Sequence, residues 1–132
     1  MTVFDGWSLV GAAIARDSVL ERALSHALRT DQIALSQPVL IELFDIFERP
    51  RLEYFLVQGL VAEVLGQLLR LGVIFAPTLR INDCQDAKDN KYLELAFVSK
   101  ADTIVSCDQD LLILHRWRGV RIIRPAAYLA LS

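Results

Sequence analysis

The chain is organised around Asp86-Ala87-Lys88-Asp89-Asn90-Lys91-Tyr92-Leu93-Glu94-Leu95-Ala96, a loop with two acids that runs straight into a helix. Leu93 and Ala96 follow Asp89 at i+4 and i+7, so these three residues share one face of the predicted helix. That face is apolar and points at a core, and the Asp89 carboxylate is therefore expected at the rim of the core.

A second acid-rich stretch ends a strand instead of opening a helix. Its sequence is Ala101-Asp102-Thr103-Ile104-Val105-Ser106-Cys107-Asp108-Gln109-Asp110-Leu111. Thr103 to Ser106 is predicted to be a short buried strand, and the turn after it carries Asp108 and Asp110. A helix start and a strand end that both present carboxylates suggest one shared site.

Short apolar strands alternate with helices along the chain. The predicted strands are Val3–Phe4, Gln32–Leu35, Val73–Ala76, Thr103–Ser106 and Val120–Ile123. The predicted helices include one that starts at Asp17-Ser18, Phe55–Leu71, Asp89–Lys100, a brief one at Leu111–His115, and Pro125–Ala130. This order predicts an α/β fold with three layers, in which a central parallel sheet of about five strands lies between helices. Ligands of such sheets bind outside the carboxyl ends of the strands.

The individual acids have structural explanations when each is taken alone. Asp86 and Asp89 suit the N-terminus of a helix, where carboxylates cap backbone N–H groups and interact with the helix dipole. Asp108 and Asp110 can cap the short helix that follows them. Glu42 lies at the edge of an apolar helix stripe and can be a solvated acid.

Asp5 differs because it directly ends a buried strand, and it changes the interpretation of the other acids. Asp5, Glu42, Asp89 and Asp108 all fall at the predicted carboxyl edge of the sheet. Carboxylates that converge there repel each other by roughly 4 kcal/mol per pair at ~4 Å and an effective dielectric constant of ~20. Cations relieve that repulsion, and all-oxygen ligands suit Mg²⁺ or Mn²⁺. Such ions turn water into a nucleophile and stabilise phosphoryl transition states.

The composition limits the class of protein. The chain has 132 residues, a 54% hydrophobic fraction and a formal net charge of -2, which predict one domain over residues 1–132 and no overall basic field. The most apolar stretch, Phe55–Pro77, is interrupted by Gln58, Glu63, Gln67 and Arg70, so no membrane span is expected. No signal peptide is visible, and Cys84 and Cys107 are expected to be reduced, as in a cytoplasmic protein.

Four segments together resemble the PIN domain family, in the branch of VapC-like toxins from toxin–antitoxin pairs. They are Val3-Phe4-Asp5, Ser36–Leu43 with Arg49-Pro50-Arg51, Asp86–Leu93 and Ala101–Leu111. The resemblance implies an endoribonuclease that depends on Mg²⁺ or Mn²⁺, forms a homodimer and is blocked by an antitoxin protein. It places the catalytic, metal-binding acids at Asp5, Glu42, Asp89 and Asp108, with Asp86 and Asp110 as outer members.

The sequence departs from the family pattern directly after the first acid. The family usually has Thr or Ser and then Asn at these two places, where this chain has Gly6 and Trp7, followed by Ser8. The departure implies weaker metal binding and slow turnover, with Ser8 supplying part of the polar contact. A large aromatic favours burial, so Trp7 is expected to pack in the core.

Three other interpretations stay open at this stage. Arg116, Trp117 and Arg118 can bind RNA by stacking a base and holding phosphates, or can form a solvated turn around a half-buried Trp117. The chain can also be a catalytically degenerate PIN-like module that binds RNA or a protein. A receiver-type signalling domain ranks below both, because no Asp follows the third predicted strand and Asp5 has no acidic neighbour.

Overall fold

The computed structural model describes residues 1–57 and 59–131, and its elements alternate as the sequence predicts. The strands are β1 (Thr2–Phe4), β2 (Ala34–Ser36), β3 (Val73–Phe75), β4 (Thr103–Val105) and β5 (Arg121–Ile123). The helices are α1 (Gly6–Ala12), α2 (Val19–Thr30), α3 (Gln37–Phe47), α4 (Leu60–Leu71), α5 (Asn90–Ser99), α6 (Gln109–Leu112) and α7 (Pro125–Ala130). Single 3₁₀ turns occupy Leu52–Tyr54 and Ala87–Asp89.

The named strands pair in parallel, which confirms the predicted α/β class. Strands β1, β4 and β5 form a three-stranded sheet with β4 in the centre, and β2 pairs with β3 in a second, two-stranded sheet. The two sheets meet where Thr2 bridges to Ile33 and its N–H donates to the Gln32 carbonyl at 2.8 Å. The expectation of one sheet of about five strands is therefore corrected to three strands plus two. Each strand is three residues long, so one bridge is all that joins the sheets among the described residues.

Alternate residues of the strands enter two separate cores, which gives the three-layer arrangement. Phe4 and Val105 pack in one apolar cluster with residues of α1 to α4, while Val3 and Ile104 pack in the other cluster with residues of α5. Successive side chains of a strand point to opposite faces, so short strands suffice to supply both cores. Complete burial of such side chains stabilises the fold by about 1.5–3 kcal/mol each.

The boundaries of two predicted helices differ from those observed. The predicted helix Phe55–Leu71 begins only at Leu60, because Phe55 closes a 3₁₀ turn and Gly59 has a left-handed backbone with φ 84°. Gln58 lies outside the described residues. Helix α6 begins and ends earlier than the predicted Leu111–His115, because Asp108 accepts a hydrogen bond from the Asp110 N–H at 2.9 Å and starts the helix there.

Two further expectations can be compared with the structure. No helix in the described ranges is long and apolar enough to cross a membrane. Cys84 and Cys107 form no disulfide with each other in the structure, and their reduced state stays a prediction.

Candidate metal centre

Two acids lie at the same edge of the three-stranded sheet. Asp5 directly follows β1 and Asp108 follows β4, and the register pairs Phe4 with Val105 at the ends of these neighbouring parallel strands. Asp89 ends the 3₁₀ turn that leads into α5. Glu42 lies in the middle of α3, which packs against α5.

Asp5 is held by hydrogen bonds to both carboxylate oxygens. Its Oδ1 accepts from the Ser8 N–H at 2.8 Å, which caps α1, and its Oδ2 accepts from the Ser106 hydroxyl at 2.5 Å. Burial raises the pKa of Asp5, and the hydrogen bonds from Ser106 and Ser8 oppose that rise. Asp5 is therefore both a helix cap and a fixed acid at the end of a strand.

Ser106 connects Asp5 to Asp108. The same Ser106 oxygen that donates to Asp5 accepts from the Asp108 N–H at 2.9 Å, and the residue is fully buried. The sequence interpretation did not single out Ser106, although it is the last residue of the predicted strand and lies two residues before Asp108. Asp86 and Asp108 also cap their own turns, because each accepts a hydrogen bond from the N–H two residues ahead. Asp110 supplies that N–H to Asp108.

Asp89 is the candidate ligand that has a buried carboxylate oxygen without a partner among the described residues. It is 6% exposed, its side chain makes no capping hydrogen bond to α5, and its Oδ2 has no described partner. Burial raises the pKa of Asp89 to about 7, with further contributions from the nearby Asp108 carboxyl and from the charges of Asp86 and Glu42. A buried carboxylate among other carboxylates is costly unless a proton or a cation neutralises it.

Glu42 is paired, and is not the solvated acid that its position in the sequence allowed. Its Oε2 accepts from the Lys91 ammonium at 2.6 Å, and its Oε1 accepts from the Tyr92 hydroxyl. The Tyr92 oxygen in turn accepts from the Gly6 N–H at 2.9 Å. Burial and the Glu42 carboxylate raise the pKa of Tyr92, so its hydroxyl remains a donor. Lys91 and Tyr92 are therefore site residues that the sequence interpretation missed, although they directly follow Asp89 and Asn90.

The structure explains why glycine follows Asp5. A Cβ atom at Gly6 would lie 3.0 Å from both the Tyr92 hydroxyl oxygen and Glu42 Oε1, so these side chains would have to move by a few tenths of an ångström. The Tyr92 hydroxyl thus occupies the space that a side chain at position 6 would need. The expectation that Trp7 packs in the core is wrong, because Trp7 is 53% exposed and lies beneath the Arg49 guanidinium.

Of the two interpretations of Arg116–Arg118, the structure favours the turn. Trp117 is packed against the protein, so its ring is not free to stack on a base. Trp117 is 6% exposed, its indole N–H donates to Asp83 at 2.7 Å, and the Arg118 guanidinium lies 4.8 Å from the ring centroid. Arg116 is exposed beside it.

The acids supply the oxygen ligands that Mg²⁺ and Mn²⁺ prefer, and the orphaned oxygen of Asp89 is a suitable ligand for such an ion. As placed, however, no group of three or more His, Cys, Asp or Glu side chains in residues 1–57 and 59–131 is arranged to hold one metal ion. Each carboxylate oxygen of Asp5 and Glu42 already accepts one hydrogen bond. Binding of one ion by three of these acids would therefore require their side chains to move.

The contact between Tyr92 and Gly6 gives a stability prediction. Tyr92→Phe leaves the buried Gly6 N–H without this acceptor and is expected to lower the free energy of unfolding by about 1–3 kcal/mol. Gly6→Ala is expected to cost about 1–3 kcal/mol through overpacking, and less in the Tyr92→Phe background because one of the two oxygens that its Cβ meets is gone. Urea unfolding of the two single variants and the double variant measures the coupling. Strictly additive losses would contradict the assigned contact.

Comparison with known proteins identifies a family and a similar fold. The family model described as PIN domain matches residues 1–110. No curated protein matches the sequence. Among solved structures, the fold resembles a chain in the crystal structure of VapBC2 from Rickettsia felis bound to a DNA fragment from their promoter. The TM-score is 0.55 with 17% sequence identity, over 92% of this chain and 97% of that chain. Because the family match spans most of the sequence and includes Asp5, Glu42, Asp89 and Asp108, the chain belongs to the PIN domain family.

Proposed function

We propose that this PIN domain is an endoribonuclease that depends on Mg²⁺ or Mn²⁺. PIN domains are generally nucleases that use divalent metal ions. The observation that carries the proposal is Asp89, a buried acid whose Oδ2 has no described partner and whose pKa is raised by burial and by Asp108. An acid that is kept unpaired beside other acids suggests a functional site, and a bound cation would neutralise its charge.

Asp5, Glu42, Asp89 and Asp108 would hold the metal, with Asp86 and Asp110 outside them. When bound, the ion supplies a Lewis acid that activates water and offsets the charge of the transition state. Ser106 fixes Asp5 and Asp108 relative to each other through its hydroxyl. Glu42 must exchange its Lys91 partner for the ion, and Lys91 is then free to bind a phosphate oxygen of the substrate.

A protein partner and a second copy of the chain belong to the proposal as well. The structurally similar chain comes from a VapBC2 complex, which supports an antitoxin as the partner of this protein. We propose that the domain acts as the toxin component of a toxin–antitoxin pair and forms a homodimer. Co-expression with the product of an adjacent small reading frame, followed by size-exclusion chromatography with light scattering, tests both assemblies.

Cleavage of single-stranded RNA by the purified protein tests the catalytic proposal. Cleavage is expected with Mn²⁺ or Mg²⁺ and is expected to stop when EDTA is added. Asp102→Asn is a matched control, because the exposed Asp102 precedes β4 at the opposite end of the strand from Asp108. Equal cleavage with and without EDTA would contradict the role of the metal.

The second candidate is a PIN-like module that binds RNA or a protein without turnover. One observation favours it: the Lys91 ammonium, 2.6 Å from Glu42, already neutralises one of the acids. A protein that retains RNA binding but shows no cleavage with either ion, in the wild type and in Lys91→Met, would support this candidate over the enzyme.

A further inference from the structure

An exposed tryptophan follows Asp5 by two residues in the chain. Trp7 belongs to the first turn of α1, two residues after Asp5, and is 53% exposed. The N–H of the intervening Gly6 is bonded to the Tyr92 hydroxyl, which contacts Glu42. The backbone next to Trp7 is therefore tied to the acidic centre. The exposed indole offers a flat apolar face on which a nucleobase can stack.

Trp7 lines a small cavity of mixed aromatic and basic character, here named the Trp7 cavity. It measures about 240 Å³, and its described lining residues are Trp7, Arg49, Arg51, Leu52 and Phe55. The Arg49 guanidinium lies 5.5 Å from the Trp7 ring centroid, and the 64%-exposed Phe55 provides a second aromatic ring. None of these described lining residues carries a negative charge, so the cavity suits a flat, anionic ligand.

The Trp7 cavity lies next to a groove that contains Glu42, and the two share Arg49 as a lining residue. Arg49 lines both, and the groove, which measures about 570 Å³, is also lined by Glu42, Lys88 and Lys91. A chain of phosphates that lies along this groove thus meets positive side chains on its way from Glu42 to Trp7. Asp45 also lines the groove, where it pairs with Arg49 at 3.2 Å in an exposed ion pair of small energetic value.

We propose that the Trp7 cavity is a base-binding subsite for single-stranded RNA, in which a nucleobase near the scissile phosphate stacks on Trp7. Arg49 and Arg51 take the flanking phosphates. Stacking on an aromatic needs an unpaired base, so the subsite selects single strands over duplexes. The inference rests on the proposed function, since it names the form of RNA that reaches the acids. The basic lining favours a polyanion over a second apolar protein surface.

Binding without cleavage tests the subsite separately from catalysis. The probe is a fluorescein-labelled ten-nucleotide oligoadenylate, with binding measured by anisotropy in EDTA. Trp7→Ala is expected to weaken binding ~10-fold, and Trp7→Phe, which keeps a stacking ring, ~3-fold or less. The chain has two tryptophans, and Trp117 is buried, so quenching of intrinsic fluorescence by unlabelled oligoadenylate is expected in the wild type and is expected to be lost in Trp7→Phe.

Matched controls separate stacking from charge and from general damage. Phe97→Ala removes another exposed aromatic beneath an arginine, Arg118, and is expected to leave binding unchanged. Inorganic polyphosphate, which has no bases, is expected to compete equally well against wild type and Trp7→Ala. Arg49→Gln is expected to weaken the binding of both oligoadenylate and polyphosphate.

The outcomes distinguish the subsite from the nuclease. Oligoadenylate binding through Trp7 without any metal-dependent cleavage supports the subsite and refutes the proposed enzyme. Metal-dependent cleavage with unchanged RNA affinity in Trp7→Ala overturns the subsite and leaves the enzyme intact. A change in Trp7 fluorescence with protein concentration alone, and none on adding RNA, also overturns it, because a second copy would then cover the cavity.

Discussion

Asp89→Asn is expected to abolish metal-dependent RNA cleavage while making the metal-free protein more stable. The substitution removes the charge of a buried acid that has no described partner at Oδ2 and makes no capping hydrogen bond to α5. In the absence of metal, the loss of that charge relieves repulsion from Asp108, Asp86 and Glu42. An increase of about 1 kcal/mol would raise the melting temperature by ~3–6 °C for a domain of this size. Cleavage is expected to fall at least ~100-fold, because the ion loses a charged ligand.

Thermal unfolding in EDTA and in Mn²⁺ at pH 8 measures both effects. The wild type is expected to gain stability from Mn²⁺ by mass action, whereas Asp89→Asn gains little. Asp102→Asn provides the control, since it removes an exposed acid at the opposite end of β4 and is expected to behave like the wild type. An Asp89→Asn protein that is less stable than wild type in EDTA, or that keeps full activity, would remove Asp89 from the proposed site.

Metal affinity is expected to fall steeply as the pH decreases through about 7. Burial and the Asp108 carboxyl raise the pKa of Asp89 from 3.8 to about 7, so the folded protein keeps this proton at pH values where an ordinary aspartate is ionised. A metal ion must displace the proton, and the apparent affinity therefore decreases ~10-fold per pH unit below the pKa. Between pH 7.5 and pH 5.5 the expected loss exceeds ~10-fold.

Raising the pH strengthens metal binding but lowers the contribution of Asp89 to the stability of the metal-free fold. Because the folded pKa lies above the unfolded value of 3.8, the stability that Asp89 contributes is complete below pH 3.8. It is lost as the pH rises towards about 7, since the unfolded chain releases its proton first. The stability advantage of Asp89→Asn in EDTA should thus grow between pH 5 and pH 8.

Calorimetric titration with Mn²⁺ at pH 5.5, 6.5 and 7.5 checks this prediction. Repeating the titration in buffers with different ionisation enthalpies should show that the wild type releases close to one proton per ion near pH 6. Asp89→Asn should release fewer protons and show a flatter pH profile. An affinity that is independent of pH over this range would contradict a protonated Asp89 in the metal-free fold.

The sequence alone determined the features that depend on local pattern. Alternating apolar strands and helices predicted a parallel α/β fold, and all strands of a parallel sheet end at one edge, so Asp5 and Asp108 were expected at the same edge. That β1 and β4 are neighbours was decided by the tertiary structure. The capping tasks of Asp86 and Asp108 were also foreseeable, because a cap bonds to an N–H only two or three residues away. Helix starts and stops were less accurate where Gly59 and a 3₁₀ turn intervene before α4.

Only the tertiary structure decided how the acids are partnered. Lys91 bonds to Glu42 across 49 residues, Tyr92 to Gly6 across 86 residues, and Ser106 to Asp5 across 101 residues. No local periodicity encodes such pairs, because they arise when α3, α5 and the ends of β1 and β4 pack together. The exposure of Trp7 has the same origin: the Tyr92 hydroxyl and Glu42 fill the space around Gly6, and the indole next to it remains at the surface under Arg49.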